Sequence, residues 1–176
     1  MKLTAQAVHF HSPAYKQATK LLKAVFPKKE RIAAFPLLIG TLRKSIHFTA
    51  FYDSGDFVGL MYSIENEKYF FILYLAVEPQ LQSKGYGKMM LDYAYSQAGM
   101  RSIILNTEPP DDSADNPTQR KRRLAFYQRN GLSPTGYGFS SGGIAYIVLS
   151  SDTTSFDAVK CGKLFCGVSL HRQTSE

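Results

Sequence analysis

The nine residues YFFILYLAV, 69–77, constrain this chain more than any other stretch. They form an unbroken apolar run, rich in aromatic and β-branched side chains, with Pro79 just beyond. The length suits a strand, and apolar side chains pointing both ways require cover on both faces. Such a strand needs neighbours in a sheet and helices packed against it. A chain of 176 residues can build one domain of that kind around a single core.

The flanking sequence supplies those layers. Residues 2–9 predict a first strand. Tyr15, Ala18, Leu21, Leu22 and Val25 recur at helical spacing and predict a helix over 12–25, ended by Pro27. Residues 28–44 predict a second helix, with Pro36 as a breaking point. SIHFTAFY and FVGLMYSI flank Asp53-Ser54-Gly55-Asp56 and read as a hairpin. From Gly85 the period becomes helical, through Tyr86, Met89, Met90, Tyr93 and Gln97, and Gly99 closes the segment. RSIILN, 101–106, is a short strand, and 107–116 is a polar, acidic loop. Asn116-Pro117-Thr118-Gln119 predicts a helix start with Asn116 as cap and Gln119 completing a capping box; the helix runs to Asn130 and stops at Gly131. TGYGFSSGGIAYIVLS reads as a hairpin turning at Ser141-Gly142-Gly143. Residues 151–155 read as a linker and 156–170 as strand-like.

Composition narrows the function classes. No apolar run reaches the roughly 18 residues of a membrane helix. The start, MKLTAQAVHF, lacks the apolar core of a signal peptide, so a cytoplasmic protein with no membrane partner is expected. The net charge of +7 suits an anionic partner: nucleic acid, anionic lipid or a phosphorylated small molecule. Cys161 and Cys166 match no zinc or redox spacing, and His9, His11, His47 and His171 lack metal-like partners, so no metal is expected. No Gly-x-Ser-x-Gly appears, which argues against a serine hydrolase.

Between strand 69–77 and the following helix lies Gln82-Ser83-Lys84-Gly85-Tyr86-Gly87-Lys88. Two readings fit a lone glycine pair: a tight turn, or a backbone bared for an anion. A helix start carries unpaired N–H groups and partial positive charge, and glycine lets a ligand approach them. Lys84 and Lys88 would add charge-assisted contacts. The dinucleotide fingerprint is excluded, because position 90 is Met90. The P-loop is excluded, because Lys88 is followed by Met89.

In its context, Gln82-x-x-Gly85-x-Gly87 resembles the acetyl-CoA signature of the GNAT N-acetyltransferase superfamily. RRLAFYQRNGL, 122–132, resembles that family's next helix. The resemblance runs through the order of elements from 45 to 150. It implies an α/β (α+β) fold: a mixed, largely antiparallel central sheet with a splayed strand pair, flanked by about four helices. It implies one acyltransferase domain over 1–176, with 151–176 as an extension. It also implies acetyl-CoA as co-substrate, with backbone amides from Gln82, Ser83, Lys84, Gly85, Tyr86, Gly87 and Lys88 on the pyrophosphate. Leu75, Ala76 and Val77 would pair with the pantetheine arm. Two departures stand out. Arg120 occupies the place where an Asn is often found seven residues before the Tyr, and Gly131-Leu132 replaces the usual Gly-Phe.

Acyl transfer to an amine needs a proton acceptor, since a lysine-like amine with a pKa near 10.4 is protonated at neutral pH. Glu108, just past strand 101–106, is the candidate base and Glu78 the second. The resemblance places the Tyr127 hydroxyl near the CoA sulfur, as the acid for the leaving thiolate; core packing is its other reading. Arg120-Lys121-Arg122-Arg123 spreads round its helix, as a solvated face or as contacts to CoA phosphates or nucleic acid. Glu108, Asp111, Asp112 and Asp115 would favour a cationic amine if they border the acceptor site. Residues 26–45 and 151–176 are expected to wall the acceptor pocket. The expectation is an N-acetyltransferase working by direct attack on a small-molecule or peptide amine, compatible with a homodimer. The alternative is a regulatory module that senses CoA or binds nucleic acid.

Overall fold

The computed structural model describes residues 2–28, 31–164 and 168–173. Cys166 therefore lies outside the described residues. The protein is mixed α/β, with largely antiparallel strands, and five α-helices among the described residues. It divides into two compact units: Met1–Glu65 with Ile72–Gln97, and Asn66–Phe71 with Ala98–Glu176.

The first unit opens with β1 (Leu3–Ala7), which pairs antiparallel with β2 (Ile46–Asp53). Between them lie α1 (Pro13–Val25) and α2 (Ala34–Gly40). The Ser12 hydroxyl accepts from the Tyr15 N–H at 3.2 Å and Pro13 takes the first helical position, so α1 starts where its sequence permits. Ala14, Ala18, Leu21 and Leu22 form its buried stripe. The second helix is shorter than the expected 28–44. Pro36 does not break it. Proline sits within the first turn, where the N–H has no intrahelical partner to lose.

β2 joins β3 (Asp56–Glu65) through Ser54 and Gly55, with φ of +53° and +92°. Two successive positive φ angles give the tight turn whose twist matches paired strands. β4 (Tyr69–Val77) follows in order β1-β2-β3-β4, and its residues from Ile72 on belong to this unit. Its nine residues are the apolar run read from the sequence. α3 (Tyr86–Ala98) closes the unit, ending before Gly99 at φ +60°. Phe48, Leu60, Tyr62, Tyr74 and Ala76 join the α1 and α2 stripes in one core. Burying each large side chain contributes about 1.5–3 kcal/mol.

In the second unit, β5 (Ser102–Thr107) pairs antiparallel with β7 (Ile144–Ser150), which pairs with β6 (Ser133–Ser141). The β6–β7 turn falls at Gly142 and Gly143, both with positive φ. α4 (Pro117–Arg129) ends as its sequence predicts: Gly131 has φ +82° and the Leu132 N–H reaches back to the Tyr127 carbonyl at 3.1 Å.

The tail departs from the strand-like reading. Among its described residues it forms α5 (Ala158–Leu164), and only His171–Arg172 are strand, as β8 beside β6. Asp157 starts this helix: its carboxylate accepts from the Lys160 N–H at 3.0 Å and its carbonyl from Cys161 at 2.9 Å. The Asp157 N–H in turn donates to the Tyr69 hydroxyl at 2.7 Å. That cap, and burial of Cys161 and Gly162, outweigh the strand propensity of Val159 and its neighbours. Residues 151–155 are no loose linker either. The Asp152 carboxylate collects the Ser155 and Thr154 hydroxyls and the Thr154 N–H, which hold it well below the usual carboxylate range.

Candidate active site

In the first unit, β4 delivers the chain to a helix start. Leu75 and Val77 are half-buried, Ala76 is buried, and the Glu78 N–H donates to the Val58 carbonyl at 2.9 Å. One 3-10 turn, Pro79–Leu81, then turns the backbone. Gln82, Ser83, Lys84 and Gly85 are exposed. Ser83 has φ +62° and Gly85 φ +89°. A serine in the left-handed region is uncommon, and such residues gather at binding sites. The Gly85 carbonyl accepts the first helical bond, from Met89 at 3.2 Å. The N–H groups of Tyr86, Gly87 and Lys88 are then the first in α3 and have no intrahelical acceptor. The loop therefore presents what an anion needs: accessible amides at the positive end of a 13-residue helix.

Its neighbours hold the loop in place. Tyr86 turns inward between the glycines, 9% exposed, and its hydroxyl donates to the Asp53 carboxylate at 2.8 Å. That bond, followed by the Lys2 N–H, lowers the Asp53 pKa, while the Tyr86 phenol is pushed up by its carboxylate partner. Lys88 was expected to face phosphate, but its ammonium is paired with Asp92 at 2.7 Å, one helical turn on. Lys84 is the exposed cation of the loop proper.

Sequence reasoning missed Gly59. A Cβ there would collide with the Ala76 carbonyl oxygen and lie 3.1 Å from the Met90 sulfur. Gly59 thus permits β3 to meet β4 and α3 at the stretch expected to pair with pantetheine. Within FVGLMYSI it looks like an ordinary strand glycine, and only the approach of a second backbone shows its purpose.

An open cleft of about 250 Å³ in this unit is lined by Leu3, Ala5, Phe51, Met89, Asp92 and Tyr93. Its one carboxylate, Asp92, is the partner of Lys88.

In the second unit, Glu108 follows β5 directly and is 7% exposed. One of its oxygens pairs with the Arg120 guanidinium and the other with Arg123 at 3.3 Å. Arg120 also donates to the Asn116 side chain at 2.8 Å and approaches Asp111 at 3.8 Å. Asn116 is the residue before α4, as expected, but its side chain serves Arg120 instead of capping the helix. Lys121 pairs with Asp112. Glu108, Asp111 and Asp112 of the acidic loop thus pair with Arg120, Lys121 and Arg123 of the cationic run, two stretches read separately in the sequence. Positions 108 and 120 are too far apart for a spacing rule to link them.

Arg120, Arg123 and Tyr127 share one stripe of α4. Tyr127 is half-buried against the Phe126 ring, with ring centres 5.3 Å apart. Burial pushes its phenol up, against a smaller opposite pull from Arg123. It therefore remains a proton donor throughout the neutral range. Thr107 is buried beside Glu108, and its hydroxyl has no hydrogen-bond partner. The Cys161 thiol is buried and pushed up to about 12 by that burial, which makes it a poor nucleophile. Among the described residues, no group of three or more His, Cys, Asp or Glu side chains could hold a metal ion, and no helix is long and apolar enough to cross a membrane.

The family model described as an acetyltransferase (GNAT) domain matches residues 43–132. A GNAT-family acetyltransferase structure from Bacteroides thetaiotaomicron shares 23% identity over 94% of this chain and 99% of its own, with a TM-score of 0.76. A GNAT acetyltransferase from Elizabethkingia anophelis with acetyl-CoA bound shares 16% identity over 84% and 96% of the two chains, with a TM-score of 0.58. The ribosomal-protein-S18-alanine N-acetyltransferase of Escherichia coli shares 13% identity over 85% and 92%, with a TM-score of 0.61. No curated protein sequence gives a significant match.

Proposed function

The chain belongs to the GNAT acetyltransferase family, and we propose that it transfers the acetyl group of acetyl-CoA to a primary amine by direct attack. The observation that carries this reading is the backbone course from β4 through Ser83 and Gly85 into α3, which bares a helix start where a pyrophosphate can lie. Support comes from the Elizabethkingia anophelis structure, which is described with acetyl-CoA bound.

The roles divide as follows. Amides from Gln82 to Lys88 hold the pyrophosphate, with Lys84 adding charge. The backbone of Leu75, Ala76 and Val77 pairs with the pantetheine arm, and Gly59 keeps that strand in place. The amine nitrogen attacks the thioester carbonyl carbon, the carbon–sulfur bond breaks, and Tyr127 donates a proton to the departing thiolate. Glu108 is turned into α4 and bonded to two guanidinium groups, so little of it can reach a substrate ammonium. Its role here is to fix α4, and hence the stripe bearing Tyr127. Of the two carboxylates singled out in the sequence, half-buried Glu78 at the end of β4 is the more accessible, and we assign it the amine's proton.

The deciding experiment is a panel of amines and peptides read by free-thiol release from acetyl-CoA. Thiol release with mass gain of one acetyl group on an acceptor supports the reading. Stoichiometric acetyl-CoA binding with no release across the panel overturns it in favour of a CoA-sensing module.

A further inference from the structure

The charge of this chain is not evenly spread. Before Asp53 the sequence holds nine lysines and arginines against one acid, Glu30; from Asp53 onward acids outnumber bases by one. All of the net positive charge therefore belongs to the first part of the chain. Lys16, Lys20 and Lys23 recur at helical spacing along one exposed stripe of α1. Among the described residues, no ion pair engages them.

The same unit carries an exposed apolar stripe. Phe35, Ile39 and Leu42 follow the same spacing along α2 and the turn after it, and stay exposed where Leu37 and Leu38 are buried. Phe35 is 54% exposed, Ile39 48% and Leu42 84%. Phe10 ties the two helices together, stacked on Tyr15 of α1 at 5.8 Å and edge-on to Phe35 at 5.7 Å. The face also touches the strand that leads to the cofactor loop. The Ile32 N–H donates to the Tyr74 hydroxyl at 2.9 Å, and Tyr74 immediately precedes Leu75 on β4.

We infer that this face receives the acceptor, and that the acceptor amine is borne on a peptide with acidic and apolar side chains next to it. The inference rests on the acetyl transfer proposed above and deepens it by naming the acceptor class. The acidic loop of the second unit had suggested a cationic acceptor, but three of its four carboxylates, Glu108, Asp111 and Asp112, pair with α4. Lys16, Lys20 and Lys23, which no ion pair engages among the described residues, complement an anion. A second copy of this chain is the wrong occupant, since two such faces repel. Seven residues of helix span about 10 Å, the reach of about three extended peptide residues. The apolar stripe thus matches a short peptide segment better than a compact small molecule.

The test uses three tetrapeptide amides with free N-termini: Ala-Glu-Phe-Glu, Ala-Arg-Phe-Arg and Ala-Ser-Phe-Ser. Thiol release gives kcat/KM, and anisotropy of C-terminally dye-labelled versions in the presence of CoA gives binding. The acidic peptide is expected to exceed the arginine peptide at least about tenfold at low salt, with the gap closing at high salt. The triple variant Lys16→Glu, Lys20→Glu, Lys23→Glu is expected to invert the order without altering acetyl-CoA affinity. Phe35→Ser, Ile39→Ser, Leu42→Ser is expected to weaken all three phenylalanine peptides. Equal or absent discrimination by the wild-type protein overturns the inference, as does a preference that survives the charge reversal. So does binding to phosphatidylserine vesicles that the reversal abolishes while peptides show no preference; the face would then be a lipid contact. Inverting binding preferences with no thiol release would keep this assignment of the face and overturn acetyl transfer.

Discussion

Replacing Glu108 by glutamine separates two roles that one carboxylate could play. In the structure its oxygens hold Arg120 and Arg123, whose side chains are 18% and 34% exposed against 9% for Glu108. Removing one partner of a fully buried ion pair costs about 3–5 kcal/mol. The cost here is smaller, because the amide oxygen still accepts one bond and Arg123 reaches water. A loss of about 1–3 kcal/mol is expected for a pair shielded to this degree. For a chain of this size each kcal/mol lowers Tm by roughly 2–4 °C, so the drop should be roughly 2–12 °C. Thermal unfolding by circular dichroism reads it. The companion assay is kcat/KM against pH for both proteins. A fixing role predicts a lowered plateau with the acid limb unmoved. Unchanged Tm, together with a loss near 100-fold that recovers as pH approaches the amine's own pKa, would refute the reasoning and make Glu108 the base.

Other substitutions probe the remaining parts. Gly85→Val should weaken acetyl-CoA binding at least about tenfold in calorimetry while the fold survives, because φ of +89° excludes a β-branched side chain and the side chain would cover the amides; unchanged affinity would remove the loop from the cofactor site. Tyr127→Phe should lower kcat by roughly 10–10³-fold with cofactor affinity kept, and since burial raises this phenol, no limb below pH 10 should vanish with it; a wild-type kcat would return Tyr127 to packing. Gly59→Ala should cost about 1–3 kcal/mol by overpacking, read as a lower Tm, and should also weaken acetyl-CoA binding through the shift of Ala76; a Tm at or above wild type would show that β3 can yield at no cost.

Much of the fold was legible because its signals are local. The run 69–77, the two glycine-bearing hairpin turns and the stop at Gly131 each announce themselves within a few residues, and each lies where its pattern predicts. The turn from β4 through Gly85 into α3 was legible for the same reason. The misreadings are those in which a distant partner decides. α5 formed because Asp157 caps it and Tyr69, far back in the sequence, holds Asp157. Asn116 surrendered its capping oxygen to Arg120, which Glu108 and Asp111 had drawn close. Gly59 matters only because Ala76 and Met90 arrive from other elements. The charge asymmetry could have been counted in advance, but its meaning depended on learning which carboxylates were already engaged.

The bond from Tyr86 to Asp53 bears on how a ligand arrives. Asp53 sits at the tip of the β2–β3 hairpin, so the first residue of α3 is moored to a rigid corner, while β4 fixes the other end of the loop. Between those moorings Pro79, Gln80 and the four residues Gln82, Ser83, Lys84 and Gly85 lie exposed. A receptor built this way has most of its ordering entropy already spent at folding, and little is left to be lost at the encounter. Association with a nucleotide diphosphate should then be a single kinetic phase, rising linearly with ligand concentration, with no slow closure behind it. Cutting the mooring with Tyr86→Phe should leave the dissociation chemistry of the amides intact yet introduce a second, concentration-independent phase, as the loop regains the freedom to be elsewhere when its ligand comes.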